Sequence, residues 1–207
     1  MIFEKHIYII GSSGFAKTIF QMLTKTERYR NRELSFAGYI DDRLESNPKK
    51  YLFNPNDVDF CDTENLFLFG VNSKLFQEEF IKKYKLSADR FQQLTPNVKN
   101  VKDAKIGSSI ILESFLSPGV EIGNFSFIDS NTTIGHDVKI GDFVHIGVGV
   151  IISGNVNIQP NVTIHSGAII GNNVVIGKGS EIGVGCVVTR NVPENSILVA
   201  PKPHVLK

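Results

Sequence analysis

A period of six residues governs the C-terminal half of this 207-residue chain. Isoleucine recurs at Ile122, Ile128, Ile134, Ile140, Ile146, Ile152, Ile158, Ile164, Ile170, Ile176 and Ile182, and Val188 takes the next place. A strand repeats every two residues and a helix every 3.6, so neither alone writes a strict six. Six belongs to a solenoid of the parallel β-helix kind. Two residues before each repeat position stand Val120, Ser126, Thr132, Val138, Val144, Val150, Val156, Val162, Ala168, Val174, Ser180 and Cys186, small or β-branched side chains for the same inward face. Three residues after it come Asn131, Asp137, Gly149, Asn155, Asn161, Gly167, Asn173, Gly179, Gly185 and Asn191, with Phe125 and Phe143 as exceptions. Gly, Asn and Asp tolerate positive φ, so the pattern predicts one tight corner per hexapeptide. Twelve regular hexapeptides at three per coil predict four turns. Ahead of them the repeat begins irregularly, through Ile106, Leu112 and Leu116.

The N-terminal half has a different pattern. His6–Ile10 reads as a short apolar strand, 11–14 as a glycine-rich turn, and Phe15–Thr26 as a helix with Ile19, Met22 and Leu23 on one face. Further strands are expected at Leu34–Ile40, Leu66–Val71 and Arg90–Leu94, with a charged amphipathic helix over Ser73–Tyr84 and a loop over Glu45–Thr63. Alternating strands and helices imply a parallel sheet in a Rossmann-like α/β half-domain. The expected organisation is therefore residues 1–95 as the α/β domain, 96–192 as the β-helix and 193–207 as a C-terminal cap, which an exposed solenoid end requires.

A formal net charge of +1 leaves no basic footprint for nucleic acid and no polybasic membrane patch. No apolar run approaches the roughly 20 residues that span a bilayer, and the first residues do not have the form of a signal peptide. Cys61 and Cys186 form no CxxC pair. These features lead us to expect a cytoplasmic protein with reduced cysteines and no membrane insertion.

Several side chains could carry chemistry. His136 lies two places past its repeat isoleucine, at a corner pointing away from the core, and imidazole suits proton abstraction at neutral pH. Asp137, beside it, fills the corner column, which by itself explains an Asp there. His145 lies between inward Val144 and Ile146, so alternation turns it outward. No role falls to His165. The three histidines occupy different columns, at separations unsuited to joint ligation, so no zinc or other metal is expected. Gly11, Ser12, Ser13 and Gly14 follow a strand and open a helix, where backbone N–H groups hold phosphate. The turn fails as a dinucleotide fingerprint, since Ser13 and Ala16 replace two of the glycines of GxGxxG. Asp41 and Asp42 end the second strand, able to accept hydrogen bonds from a ribose or base, and Gly70 and Asn72 end the third.

Taken together, Ile9-Ile10-Gly11-Ser12-Ser13-Gly14, Tyr39-Ile40-Asp41-Asp42, the run from Ile134 to Ile146, Gly154 and Asn191-Val192-Pro193 closely resemble one family. It comprises the hexapeptide-repeat nucleotide-sugar acyltransferases of bacteria, including the bacillosamine-pathway N-acetyltransferases and sialic acid O-acetyltransferase-like proteins. The resemblance implies a left-handed β-helix, a homotrimer, and acetyl-CoA bound between neighbouring prisms. It implies that His136 is the general base and Asp137 the carboxylate that fixes its tautomer. It places His145, Gly154, Ser166 and Val184 at acetyl-CoA, with backbone N–H groups near Gly154 or Ser166 facing the oxyanion. Gly11, Ser12, Ser13, Gly14, Phe15, Asp41, Asp42, Gly70 and Asn72 fall to the nucleotide sugar. Phe15 replaces a histidine common in the family, so any contact made by that ring is lost. Thr95-Pro96 and Ala200-Pro201-Lys202-Pro203 depart from the usual His-Pro joint and Gly-x-Pro-Ala tail.

The expected function is acetyl-CoA-dependent N-acetylation of a nucleotide-linked amino sugar for surface polysaccharide. O-acetylation of a sugar hydroxyl of the sialic acid type is the nearest alternative. A non-catalytic nucleotide-sugar-binding scaffold is the alternative of another class.

Overall fold

The computed structural model describes residues 5–41, 52–96, 98–99 and 104–200. The chain divides into two compact units, Met1–Pro96 and Asn97–Lys207.

The first unit holds a four-stranded parallel sheet in the order β3-β2-β1-β4: β1 is Lys5–Ile10, β2 Leu34–Ile40, β3 Leu52–Phe53 and β4 Asn65–Phe69. Every residue of β4 is buried, as expected of a parallel strand covered on both faces. Helix α1, Gly14–Thr24, buries Ala16, Ile19 and Leu23 at helical spacing, and a single turn, α2, follows at Glu27–Arg30. Helix α3, Lys74–Tyr84, is capped by the Ser73 hydroxyl, which accepts from the Phe76 N–H at 3.4 Å, and it ends at Lys85 with φ 52°. Two expectations need correction. Arg90–Leu94 is not a strand: Ala88–Arg90 is a 3₁₀ turn, and beyond it Phe91 makes an isolated bridge to Phe67, with the Gln92 N–H donating to the Phe67 carbonyl at 2.9 Å. The fourth strand comes from Leu52–Phe53, within the stretch expected to be loop. The Asp41 N–H donates to the Phe53 carbonyl there at 3.0 Å, adding a two-residue edge too short to leave a periodic signal.

The second unit is a parallel β-helix of two-residue strands, β5 (Lys105–Ile106) to β20 (Ile197–Leu198). They stack into three sheets of five, five and six strands. From Ile122 to Ile164 each repeat isoleucine pairs with the one 18 residues ahead, one full coil away. These isoleucines and the small column before them make one continuous buried core, each isoleucine contributing about 1.5–3 kcal/mol. Its hydroxyls are satisfied by corner carbonyls: Ser126 donates to Gly141 O at 2.9 Å, Thr132 to Asp129 O at 2.9 Å and Ser180 to Pro193 O at 2.6 Å.

The irregular start is part of the prism, which therefore exceeds the four regular turns. Two sides of its first coil advance five residues, from Ile106 to Ile111 and on to Leu116, and Ile111, not Leu112, takes the rung position, paired with Ile128. The positive-φ corner recurs without interruption from Phe125 to Gly185, and Phe125 (φ 58°) and Phe143 (φ 55°) adopt it too. At the far end Val192 bridges Ile176, and β20 pairs with β18 (Glu181–Ile182), covering one side of the last coil. Residues 201–207 of the expected cap lie outside the described residues.

Each side of the prism presents its own outward column. The first carries Lys105, Glu121, Lys139, Asn157 and Val175. The second carries Ile110, Phe127, His145, Thr163, Glu181 and Ile197. The third carries Phe115, Thr133, Ile151, Ile169 and Val187, a nearly unbroken apolar stripe. Following the chain, 135–138 turns the corner from the third side to the first, which on a three-sided prism is the corner opposite the second side.

Candidate active site

His136 stands on that corner beside Asp137. Its Nδ1 lies 2.9 Å from Asp137 Oδ2, and both side chains are well exposed. The carboxylate accepts from Nδ1, which leaves Nε2 as the basic nitrogen. Two glycines make room for the pair. A Cβ on Gly154, one coil above, would meet His136 Cε1 at 2.7 Å, and a Cβ on Gly119, one coil below, would collide with Asp137 Oδ1. Asp137 itself sits at φ 58°, so its corner role and its contact with His136 coexist.

The Gly154 amide is already engaged. It donates to the Asn172 side-chain oxygen at 3.0 Å, one coil further up, the same arrangement by which Asp142 caps the Asn124 amide at 2.7 Å. Gly154 is therefore corrected from an oxyanion donor to the residue whose missing side chain seats the imidazole. Ser166 differs. It and Val184 lie 18 residues apart at the corner between the second and third sides, both exposed. Their N–H groups, with that of Val148 below, make no hydrogen bond among the described residues. Such a column of unpaired donors suits an extended chain bearing carbonyl groups.

His145 lies on the second side, packed edge-on against Phe127 with ring centroids 5.4 Å apart. Burial holds its imidazole below the ordinary histidine value; Asp129 opposes that shift and His165 adds to it. His165, given no role from sequence, is bound to Glu181 through Nε2 at 2.7 Å.

In the first unit a cavity of about 600 Å³ opens at the C-terminal ends of the strands. Gly11 and Asp41 line it, together with Pro55, Val71 and one face of α3: Phe76, Glu79, Phe80, Lys83 and Tyr84. That face was legible as an i, i+3, i+4, i+7, i+8 stripe on the helix after the third strand. Gly11 takes φ 100°, and a Cβ there would collide with Val71. Asp41 is turned inward: its Oδ2 accepts from the Ser12 N–H at 3.1 Å and the Ser12 hydroxyl at 2.5 Å. It holds the turn in shape, where the sequence suggested a ribose or base acceptor. Asp42 lies outside the described residues. Ser13 is the N-cap residue of α1, Gly14 opens that helix on clear space, and Phe15 is half-buried. Gly70 is buried, and a Cβ on it would strike Ala16 and Ile9, so it allows close packing of α1 on the sheet and does not line the cavity. Asn72 is exposed and also off the cavity wall. Among the described residues no group of three or more His, Cys, Asp or Glu is placed to hold a metal ion, and no helix is long and apolar enough to cross a membrane.

Residues 119–154 match the bacterial transferase hexapeptide model, six repeats long. No curated protein matches the chain by sequence. Several solved structures match nearly its whole length. The acetyltransferase domain of PglB from Neisseria gonorrhoeae, in complex with acetyl coenzyme A, has 19% identity and a TM-score of 0.77 over 94% of this chain and 95% of that one. WeeI from Acinetobacter baumannii has 23% identity and a TM-score of 0.76 over 94% and 96%. A variant of perosamine N-acetyltransferase from Caulobacter crescentus, in complex with CoA and GDP-perosamine, has 16% identity and a TM-score of 0.75 over 93% and 92%. The chain has the fold of these proteins, an α/β unit followed by a left-handed parallel β-helix of hexapeptide repeats.

Proposed function

We propose that this chain is an acetyl-CoA-dependent N-acetyltransferase acting on the amino group of a nucleotide-linked amino sugar, in the cytoplasm and toward surface polysaccharide. The observation that carries the reading is the His136–Asp137 pair at 2.9 Å, seated between two glycines with Nε2 available. His136 takes the amine proton as the nitrogen attacks the thioester carbonyl. Transfer is direct. The two unpaired amides of Ser166 and Val184 receive the carbonyl groups of the CoA arm, and the Ser166 amide faces the developing oxyanion. The fold neighbours support this ligand choice, since one carries acetyl coenzyme A and another CoA with GDP-perosamine.

The site is assembled from more than one copy. His136 occupies the corner opposite the side that carries His145, so one prism cannot bring the two together. A homotrimer does so by setting the corner of one prism against the His145 side of the next. The stripe of Phe115, Ile151, Ile169 and Val187 supplies apolar surface to bury in that contact. The nucleotide occupies the cavity of the first unit, its diphosphate at the turn from Gly11 to Gly14 and its base against the α3 wall.

The test is release of free CoA thiol when the protein meets acetyl-CoA and a panel of UDP-, dTDP- and GDP-linked amino sugars, with hydroxyl sugars of the sialic acid type alongside. Thiol release with an amino sugar alone supports the reading. Release only with hydroxyl acceptors makes the chain an O-acetyltransferase, and none at all makes it a scaffold.

A further inference from the structure

The reaction proposed above places a base at the amine, and the departing sulfur takes its proton either back from the His136 imidazolium or from a second group. A thiolate at neutral pH lies below its ordinary pKa, near 8.5 for a cysteine-like thiol, and accepts a proton readily. The second side of the prism holds a group suited to give one. His165 Nε2 and Glu181 Oε1 are 2.7 Å apart, and both side chains are about half exposed.

This pair reverses the arrangement at His136. There the carboxylate engages Nδ1 and leaves Nε2; here it engages Nε2 and leaves Nδ1. A carboxylate at one ring nitrogen compensates the charge of an imidazolium, so the ring can carry a proton and offer it from the other nitrogen. The position fits. Glu181, Thr163 and His145 are successive register partners down one side, and His165 stands two residues past Thr163 at the edge of the same side. The places one coil below and above it are Gly147 and Gly183, so the ring rises between two bare positions, next to Ser166 with its unpaired amide. His145 is close enough to feel the charges of both Asp129 and His165. Two neighbouring imidazoles do not readily carry charge together. Burial and His165 disfavour the charged form of His145.

We propose that His165, charge-compensated by Glu181, is the acid of the reaction and delivers a proton from Nδ1 to the departing sulfur. The proposal rests on the function and two-copy site argued above. As the amine nitrogen bonds to the carbonyl carbon, its proton passes to His136 Nε2 of one protomer. The carbon–sulfur bond breaks, and the sulfur takes the His165 proton of the neighbour. The products are the acetamide and the free CoA thiol. His136 then loses a proton to solvent, and His165 regains one. His165 is the catalytic residue, and Glu181 is a positioning residue that acts through it.

Leaving-group dependence separates this role from a structural one. Each variant is assayed with acetyl-CoA and with an aryl thioacetate, whose acidic thiol departs without protonation. For His165→Gln we expect kcat/KM with acetyl-CoA to fall about 10²-fold, the scale of general acid catalysis. For Glu181→Gln we expect a loss of about 10-fold, and for both variants less than about 3-fold with the aryl thioester. His136→Ala, which removes the base, should lose activity with both donors. Equal losses of the His165 variant on the two thioesters, or no loss with acetyl-CoA, would overturn the acid assignment while leaving the function standing. Failure of the function itself shows in the wild-type protein, as absent acetylation of every acceptor, and removes this proposal with it.

Discussion

The Asn155 N–H donates to the His136 carbonyl at 2.9 Å, locking neighbouring coils together where the imidazole lies over Gly154. The ring thus depends on an absent side chain. Gly154→Ala introduces no positive-φ strain, since Gly154 is not among the residues with positive φ. Its methyl group must nevertheless displace His136. A displacement of about 1 Å costs roughly 10²-fold in a positioned reaction. We expect kcat to fall between about 10- and 100-fold with the melting temperature nearly unchanged. Steady-state kinetics beside a thermal melt checks this, and native kcat would mean that the imidazole position does not matter.

His136→Ala should keep the fold, because the side chain is exposed, and should lower turnover by about 10²-fold or more. Asp137 needs a more careful substitution. At φ 58° an Asn retains the corner, whereas an Ala adds left-handed strain of about 1–2 kcal/mol. Asp137→Asn should therefore lower kcat with little change in stability, and Asp137→Ala should lower both. Kinetics with denaturant unfolding of each variant distinguishes the two roles, and matching stabilities would refute the corner argument.

The chain should assemble into trimers, giving a light-scattering mass near three chains at micromolar protein. Ile151 and Ile169 are exposed register partners in the centre of the apolar stripe. Ile151→Lys should therefore yield a folded protein of lower mass without acetyl transfer. An active monomer would show that one prism forms the whole site.

Phe125 and Phe143 stack one coil apart with centroids at 4.9 Å and planes at 26°, each in a left-handed corner. Strain of about 1–2 kcal/mol per residue opposes a stack of about 0.5–1.5 kcal/mol. Replacing either by Asn relieves one strain and loses the stack; replacing the second relieves strain with no further stack to lose. A double-mutant cycle should thus show coupling of about 0.5–1.5 kcal/mol, with the double variant at least as stable as either single one. Additive effects would mean that the rings do not interact.

The sequence made the prism legible because each hexapeptide repeats the same burial problem. Isoleucine and a small or β-branched residue each keep one column through eleven or more repeats, and Gly, Asn or Asp holds the corner in ten. The first coil escaped because two of its sides advance by five, so Leu112, six residues past Ile106, stood in for the rung that Ile111 occupies. His136 and Asp137 were visible as an adjacent pair at a known corner. Partnerships one coil apart were not: Gly154 with Asn172, or His165 with Glu181, join residues 16 to 18 apart through side chains that follow no column rule. In the α/β unit, Asp41 and Gly70 stood at the right sheet edge, yet local packing uses both. One pins Ser12 and the other admits α1.

Asp41 now offers a sharper test of the nucleotide pocket than a direct ligand contact would. Its Oδ2 accepts two hydrogen bonds from Ser12, so it shapes the turn whose amides are proposed to meet the diphosphate. Asp41→Asn keeps the side-chain volume but removes the charge-assisted acceptor, worth about 1.5–3 kcal/mol. Part of that loss is felt as disorder of the turn, and so as weaker phosphate binding. We expect KM for the nucleotide sugar to rise about 5- to 150-fold. KM for acetyl-CoA, which the proposal assigns to the β-helix unit, should stay within about 2-fold. Two-substrate kinetics reads both values in one experiment. If both rise together the substitution has damaged the whole molecule, and if neither moves the turn does not hold the diphosphate.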